Sequence, residues 1–125
     1  MTGRAGRLSQ GLDTFDSWRY SQTMLPLTDL RTKAMFASRA AVLKAMAHPS
    51  RLFILDRLSQ REHCVQELTE LIGADISTVS KHLAVLRNAG IVSDDKRGQQ
   101  VWYSLRVPCV LRFFDCVETV LQGRG

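Results

Sequence analysis

The chain has 125 residues, a formal net charge of +5, a pI near 9.6 and a hydrophobic fraction of 45%, which describe one globular domain and exclude wholesale disorder. No apolar run approaches the roughly 20 residues of a membrane span, and the amino terminus lacks the apolar core of a secretion signal. Three widely spaced cysteines are typical of a reducing compartment. We therefore expect a cytoplasmic protein without a membrane partner, and the basic balance weakly favours nucleic acid.

The positive charge is concentrated in the amino-terminal half. The net charge is +5 over residues 1–51, −3 over 52–76, +2 over 77–100 and +1 over 101–125. If DNA is the partner, the acidic window should face away from it, because the phosphates are negative.

Residues 1–27 are predicted to form an N-terminal arm, because glycines interrupt them and no apolar period is sustained. The arm contains three aromatic residues, Phe15, Trp18 and Tyr20. They could dock on the body or remain loose contacts, and the sequence leaves both open. One domain is expected over residues 28–122, followed by a short tail at 123–125.

Four helices are predicted in the first part of the domain. The first begins at Thr28, its expected cap, with Asp29 in the first turn, and His48-Pro49 ends it because proline lacks an N–H donor. The third starts near Cys64 and stops at Gly73. Apolar residues mark the second and third helices, at Leu52, Ile54, Leu55 and Leu58 and at Val65, Leu68, Leu71 and Ile72.

Asp75 is predicted to cap the fourth helix and Gly90 to close it. Its apolar face consists of Val79, Leu83 and Leu86, at i, i+4 and i+7. Because these residues hold the helix to the body, its opposite face is left for solvent or a ligand.

A hairpin and a last helix complete the pattern. We predict a strand at Ile91-Val92, a polar turn from Asp94 to Gly98, and a second strand over Val101–Leu105. Pro108 suits the first position of the last helix. That helix carries seven apolar residues, Val110, Leu111, Phe113, Phe114, Val117, Val120 and Leu121. They require burial, and we expect a second copy of the chain to cover them.

The fold class is therefore mainly α with a small β-hairpin, in the order α-α-α-α-β-β-α. The third and fourth helices form a helix-turn-helix, and the following hairpin makes it a winged helix. A recognition helix presents its amino-terminal residues to the major groove, and basic residues at a hairpin tip can reach flanking phosphates. The predicted DNA-contacting residues are Ser77, Thr78, Ser80, Lys81, His82, Arg87, Lys96, Arg97 and Gln99. The alternative is a winged helix that binds protein.

Several ordered motifs resemble the ArsR/SmtB family of repressors. They are Ala45–Leu55 at the helix junction, Val65–Leu68, Ser77–Leu83 and Leu86–Val92 in the helix-turn-helix, and Gly98–Leu105 in the wing. The resemblance implies a homodimer formed through the first and last helices, bound to an inverted-repeat DNA operator without a cofactor. It also implies release of DNA when a metal ion, a metalloid or a thiol-reactive signal arrives.

The family's familiar metal sites are incomplete in this sequence. One is signalled by Cys-Val-Cys at the start of the third helix, where this chain has Cys64-Val65-Gln66. Another uses Asp and His on the last helix, where this chain has Asp115 and Glu118 but no histidine. A specific metal therefore does not transfer from the resemblance.

Three thiols remain as the candidate metal ligands, Cys64, Cys109 and Cys116. They suit a soft ion such as trivalent arsenic, which resembles what many family members sense. Cys109 and Cys116 are seven residues apart, about 10 Å along a helix, so one chain's last helix cannot chelate with both. Antiparallel last helices would bring Cys109 of one chain toward Cys116 of its partner. The alternative is that all three are small buried hydrophobes.

We therefore expect a DNA-binding repressor that a thiol-binding metal or metalloid, most simply arsenite, releases from its operator. The alternatives are a thiol redox sensor of the same fold and a winged-helix regulator with no metal ligand. An enzyme is not expected, because no base is placed near a thiol and the chain offers little room for a substrate cleft.

Overall fold

The computed structural model describes residues 26–124, which form five helices and a small three-stranded sheet. In chain order the elements are α1 (Leu30–Met46), α2 (Pro49–Leu58), β1 (His63–Cys64), α3 (Val65–Ile72), α4 (Ile76–Asn88), β2 (Val92–Arg97), β3 (Gln100–Leu105) and α5 (Val110–Arg124). The predicted winged helix-turn-helix is confirmed, with β1 as an additional element. The chain falls into two compact units, and the boundary between them lies between Ala40 and Ala41, inside α1. No helix in the described part is long and apolar enough to cross a membrane.

The predicted arm falls outside the described residues except for Pro26 and Leu27, so the expectations for Phe15, Trp18 and Tyr20 stay predictions. At the other end, α5 extends to Arg124, into the predicted tail.

α1 begins at Leu30, one residue later than a helix capped by Thr28 would begin. The carboxylate of Asp29 accepts a hydrogen bond from the backbone N–H of Thr32 at 3.0 Å and from its hydroxyl at 3.2 Å. Asp29, rather than Thr28, therefore caps α1, and the prediction of Thr28 was wrong because the longer carboxylate reaches the third N–H of the helix. The bond from the Thr32 N–H lowers the pKa of the Asp29 carboxyl.

The junction between α1 and α2 follows from a histidine and a proline. α1 ends at Met46, and Pro49 is the first residue of α2, where a missing N–H costs nothing. His48 adopts an extended backbone and its Nδ1 accepts the N–H of Ser50 at 3.1 Å. His48 is therefore the cap of α2, in agreement with a structural role at the junction.

A single core unites the helices that carry the predicted recognition surface. Seven of its larger side chains are essentially inaccessible, Ile54, Leu55, Leu68, Val79, Leu83, Leu86 and Val92. Burying each contributes about 1.5–3 kcal/mol relative to exposure. Because three of them belong to α4, the orientation of that helix is set by the core.

The turn between α3 and α4 and the end of α4 form as predicted. Gly73 ends α3 in a left-handed conformation, with φ of +79°, and its N–H bonds to Thr69 O at 2.9 Å. Beyond α4, Gly90 has φ of +83°, and the N–H of Ile91 bonds to Leu86 O at 3.0 Å. This arrangement is a Schellman motif, which fixes the direction in which the chain leaves for the wing.

The sheet has the order β1-β3-β2, with both pairs antiparallel. β2 continues through Arg97, which pairs with Gln100, so the turn contains only Gly98 and Gln99. The predicted turn from Asp94 to Gly98 was therefore too long. An edge strand tolerates a run of charged side chains because one of its edges and its outer surface face water. Gly98, with φ of +63°, supplies the first position of a tight two-residue turn.

The last helix starts two residues after Pro108. The N–H of Leu111 bonds to Pro108 O at 3.1 Å and that of Arg112 to Cys109 O at 3.0 Å, a tight i to i+3 turn ahead of the regular helix. Val110 is buried in the core. Further along, Phe113, Val117, Val120 and Leu121 are 48–62% exposed in the single chain.

Candidate nucleic-acid interface and thiols

The two faces of α4 divide as the sequence predicts. Val79, Leu83 and Leu86 are fully buried, while Ser77, Ser80 and Lys81 are exposed. The side chains of Ser80 and Lys81 form no hydrogen bond or ion pair with the other described residues. A hydroxyl and an ammonium group are therefore free to meet a ligand near the amino end of this helix.

The other hydroxyls at the start of α4 are engaged with the cap. Asp75 accepts the N–H of Thr78 at 3.2 Å, the hydroxyl of Thr78 at 2.7 Å and the hydroxyl of Ser77. These bonds, led by that of Ser77, lower the pKa of Asp75 to about 2. Because both hydroxyl hydrogens point to the carboxylate, Ser77 and Thr78 retain only acceptor lone pairs toward solvent.

His82 lies between α4 and the start of α2 rather than on the outer surface. It is half-buried, its Nδ1 is 3.1 Å from Nη1 of Arg51, and its ring centroid is 4.4 Å from that of His48. Burial lowers the pKa of His82, and the neighbouring His48 and Arg51 lower it further. A contact of His82 with DNA stays a prediction, and its surroundings in the free chain are those of a junction residue.

The two basic residues of the wing point to opposite faces of the sheet, because consecutive residues alternate along a strand. Lys96 is exposed and forms no ion pair within the described chain. Arg97 makes two parallel bonds to Glu62, at 3.0 and 2.9 Å, and a third to Asp95 at 2.8 Å. The two carboxylates, Glu62 first, raise the pKa of Arg97 above its usual range.

Arg87 and Gln99 are the remaining residues that are predicted to contact DNA. Arg87 near the end of α4 is exposed and pairs with Asp94 of β2 at 3.0 Å. Gln99 is exposed in the turn of the wing. The charge of Arg87 is thus partly neutralised by Asp94, and the side chain of Gln99 is accessible.

The acidic window of residues 52–76 does not turn away from this surface as a whole. Asp75 caps α4, and Glu62 binds Arg97 on the wing. Helix capping and ion pairing thus place each of these carboxylates next to a predicted DNA-contacting residue, and the expectation that the window faces away from DNA stays a prediction.

The three cysteines have different environments. Cys64 is 4% exposed and precedes α3, where its N–H bonds to Oε1 of Glu67 at 3.3 Å. Cys109 and Cys116 are exposed. Within the described part of one chain, no three His, Cys, Asp or Glu side chains lie close enough to hold a metal ion. One protomer therefore does not bring Cys64, Cys109 and Cys116 together as a site.

Cys64 borders a cleft of about 250 Å³ between the helix-turn-helix and the wing. Its walls include Ser80 of α4 and the wing residues Gln99 and Gln100, with Gln66 from α3. Cys64 therefore borders a cleft that is also lined by both of the elements predicted to contact DNA.

Sequence reasoning missed three residues that shape the interface, Arg51, Glu62 and Asp95. Arg51 and Glu62 act on partners 31 and 35 residues away, for which the sequence holds no local signal. Asp95 could have been found only from a strand predicted to continue through Arg97, because residues i and i+2 of a strand share a face.

The buried anchors of α4, its capped amino end and the adjoining hairpin together make a winged helix. Residues 48–94 match the profile of the family described as "Bacterial regulatory protein, arsR family". The chain belongs to this family. Its members are DNA-binding transcription regulators, so the expectations of the ArsR/SmtB resemblance and of a non-enzyme are confirmed.

Relatives within the ArsR family support this assignment. The HTH-type transcriptional regulator NmtR of Mycobacterium tuberculosis is 43% identical over 79 residues, which cover 63% of this chain and 66% of NmtR. The crystal structure of NolR from Sinorhizobium fredii superposes with a TM-score of 0.68 at 31% identity, over 77% of this chain and 95% of NolR. The solution structure of the homodimeric winged helix-turn-helix domain of Mb0332 from Mycobacterium bovis gives 0.66 at 30% identity, over 80% and 93%.

Proposed function

We propose that the protein is a repressor that binds an inverted-repeat operator as a homodimer and releases it when its thiols bind a soft metal or metalloid, with arsenite the first candidate. The observation that carries the DNA-binding part is the division of α4 into a buried face and an exposed amino-terminal face with Ser80 and Lys81 free. A helix held in this way enters the major groove by its amino end.

The proposed DNA-contacting set keeps the residues predicted from sequence except Arg97, whose guanidinium is bound by Glu62 and Asp95. Ser80, Lys81, Lys96 and Gln99 are accessible without rearrangement. Four others have partners within the protein, and DNA would share or replace those partners; they are Ser77, Thr78, His82 and Arg87.

A second copy of the chain is the proposed cover for the apolar face of α5. In a single chain, Val117 and Val120 are 53% and 62% exposed, which is unusual for neighbouring valines of a monomer. The related Mb0332 domain is a homodimer. A two-fold dimer presents two α4 helices related by the same symmetry as an inverted repeat, which supports that form of operator.

The thiols supply the proposed release signal. An ion held across the dimer by Cys109 and Cys116 would alter the packing of the α5 helices. Alternatively, an ion on Cys64 would occupy the cleft beside Ser80 and Gln99. Either event would disfavour the DNA-bound arrangement, and coupling of this kind is usually about 1–3 kcal/mol.

The DNA-binding part is tested by selecting duplexes from a random-sequence pool and measuring affinity for the winner by fluorescence anisotropy. Lys81→Gln should weaken binding and reduce the salt dependence by about 0.9 per chain in the slope of log K against log salt. Arg106→Gln, at the end of β3 away from the turn, removes the same charge and should leave both unchanged. If no duplex binds even at low salt, the protein-binding alternative replaces this proposal.

The release signal is tested by repeating the titration with arsenite, antimonite, cadmium and zinc, in the wild type and in three single Cys→Ser variants. An ion that weakens binding about 5- to 150-fold in the wild type, and not in one variant, identifies both signal and ligand. If no ion changes the affinity, metal sensing is wrong, and the redox sensor and the regulator with no metal ligand are the remaining alternatives.

The exposure of Cys109 and Cys116 favours a second candidate, a redox sensor that forms a disulfide between partner chains. Mild oxidant should then produce a dimer band on a non-reducing gel. The band should vanish in Cys109→Ser. It should persist in Cys64→Ser, because the thiol of Cys64 is buried in the wild type. Absence of a band in the wild type would remove this candidate.

A further inference from the structure

One side chain of the wing spans the whole three-stranded sheet. Arg97 is the last residue of β2, whereas Glu62 immediately precedes β1, at the opposite edge. The guanidinium of Arg97 nevertheless reaches Glu62, with Nη1 3.0 Å from Oε1 and Nη2 2.9 Å from Oε2. On the way it lies 5.5 Å from the ring of Trp102 in the central strand β3.

All three nitrogens of this guanidinium have carboxylate partners, because Nε also bonds to Asp95 at 2.8 Å. The parallel pair of bonds to Glu62 is the planar geometry that arginine forms best and lysine cannot copy. A DNA phosphate would have to displace two carboxylates to reach Arg97. Lys96, on the other face of the strand, has no such competitor among the described residues.

We propose that Glu62 is a positioning residue for DNA binding. It holds Arg97 across the sheet and thereby sets the angle of the wing, while Lys96 supplies the wing's phosphate contact. This inference rests on the proposed DNA-binding function and deepens it. Two adjacent cations thus have different roles, because Lys96 binds DNA and Arg97 binds the protein.

A positioning role of Glu62 and simple charge repulsion predict opposite changes in DNA affinity when Glu62 is replaced. Removing the negative charge of Glu62 beside a DNA-binding surface should tighten binding if electrostatics alone acts. If Glu62 positions the wing through Arg97, its removal should weaken binding instead. An exposed ion pair contributes little unless its geometry is ideal, and the bidentate bonds here meet that condition.

The test uses the full chain and a fluorescent duplex from the random-pool selection, titrated from about 50 to 200 mM salt. Glu62→Gln and Arg97→Gln should each weaken binding about two- to fivefold without changing the salt slope. The double variant should be no weaker than either single variant, because both break the same link. Lys96→Gln should reduce the slope by about 0.9 per chain.

Arg97→Lys separates a positioning role from a charge contact. A lysine keeps the charge but not the paired bonds, so we expect Arg97→Lys to bind as weakly as Arg97→Gln, at an unchanged slope. If Arg97 touches phosphate, Arg97→Lys should instead bind like the wild type, and Arg97→Gln should lose about 0.9 from the slope per chain. That pair of results would overturn the proposal.

Trp102 reports the link without DNA. The chain has two tryptophans, so Trp18→Phe leaves Trp102 as the single indole. In this background Glu62→Gln should change the Trp102 emission in the same direction as Arg97→Gln, since the first frees the guanidinium from its place near the ring and the second removes it. An emission that changes with Arg97→Gln alone would overturn the role of Glu62.

Failure of the positioning role of Glu62 can be distinguished from failure of the proposed function. If the wild type binds no duplex, the proposed function fails, and the Trp102 measurement still decides whether Glu62 holds Arg97. If the wild type binds and Glu62→Gln binds more tightly, DNA binding stands and the positioning role is wrong. Thermal unfolding of each variant, followed by circular dichroism, establishes that the proteins compared are folded.

Discussion

Nη1 of Arg51 lies 3.1 Å from Nδ1 of His82, and this contact joins the start of α2 to the recognition helix. Arginine only donates hydrogen bonds, so Nδ1 of His82 accepts, and the neutral ring carries its proton on Nε2. The ring of His48 is 4.4 Å away. Protonation of His82 would break the bond to Arg51 and place a second cation beside it.

We expect this junction to make the protein less stable in acid. Burial, His48 and Arg51 lower the pKa of His82, so the unfolded chain takes up a proton that the folded chain resists. The free energy of unfolding should therefore fall as the pH drops below about 6.5, the ordinary value for histidine, by at most about 1.4 kcal/mol per pH unit. Below the lowered folded-state pKa this loss stops growing.

His82→Gln isolates this contribution, because glutamine retains an acceptor but does not titrate. Urea unfolding of the wild type and of His82→Gln should be compared at several pH values between about 5 and 8. The difference between the two proteins should grow in favour of the variant as the pH falls. Parallel pH profiles would show that His82 titrates alike in both states, contrary to this expectation.

The helical part of the fold could be predicted because its signals are local. Pro49 and Gly73 mark helix boundaries through backbone chemistry that operates within a few residues, and Asp75 caps a helix whose N–H groups are adjacent in sequence. The apolar period of α4 likewise identified its buried face. These features need no knowledge of the rest of the chain.

The wing and the electrostatics of the interface could not be predicted in the same way. β1 has two residues, too few for a pattern, and it forms because Cys64 pairs with Trp102. Arg97 was expected at DNA from its charge and its place near the turn. Its partner Glu62 is brought near only by the folded sheet, so the neutralisation of Arg97 is a tertiary effect.

The anchoring of α4 predicts unequal effects of two apolar truncations on one helix. Leu83 is fully buried, whereas Ile76 is 56% exposed. Leu83→Ala should lower the free energy of unfolding by about 2–5 kcal/mol, because it removes buried methyl groups and leaves a cavity. Ile76→Ala should change it by no more than about 0.5 kcal/mol. Urea denaturation measures both, and comparable losses would show that Ile76 is buried in solution.

The turn of the helix-turn-helix should depend on backbone conformation alone at Gly73. This residue has φ of +79°, and an added Cβ would meet nothing within 4 Å. Gly73→Ala should therefore cost about 1–2 kcal/mol from left-handed strain, and Gly73→Asn should cost less because asparagine visits this region more readily. Equal costs in urea unfolding would mean that a steric contact, rather than φ, decides.

The exposed apolar face of α5 predicts how the proposed dimer can be broken. Val117 is 53% exposed in the single chain and lies on one stripe with Phe113, Val120 and Leu121, whereas Gln122 lies on the other side of the helix. If a second copy covers the stripe, Val117→Glu buries a carboxylate without a partner and should weaken dimerisation at least about tenfold.

Gln122→Glu is the matched control, because it adds the same charge to the same helix away from the stripe. Sedimentation equilibrium should show a concentration-dependent shift toward monomer for Val117→Glu and a wild-type distribution for Gln122→Glu. Loss of dimer should also weaken operator binding, since each half-site would then be bound independently. A Val117→Glu protein that dimerises as tightly as the wild type would place the interface elsewhere than on this face of α5.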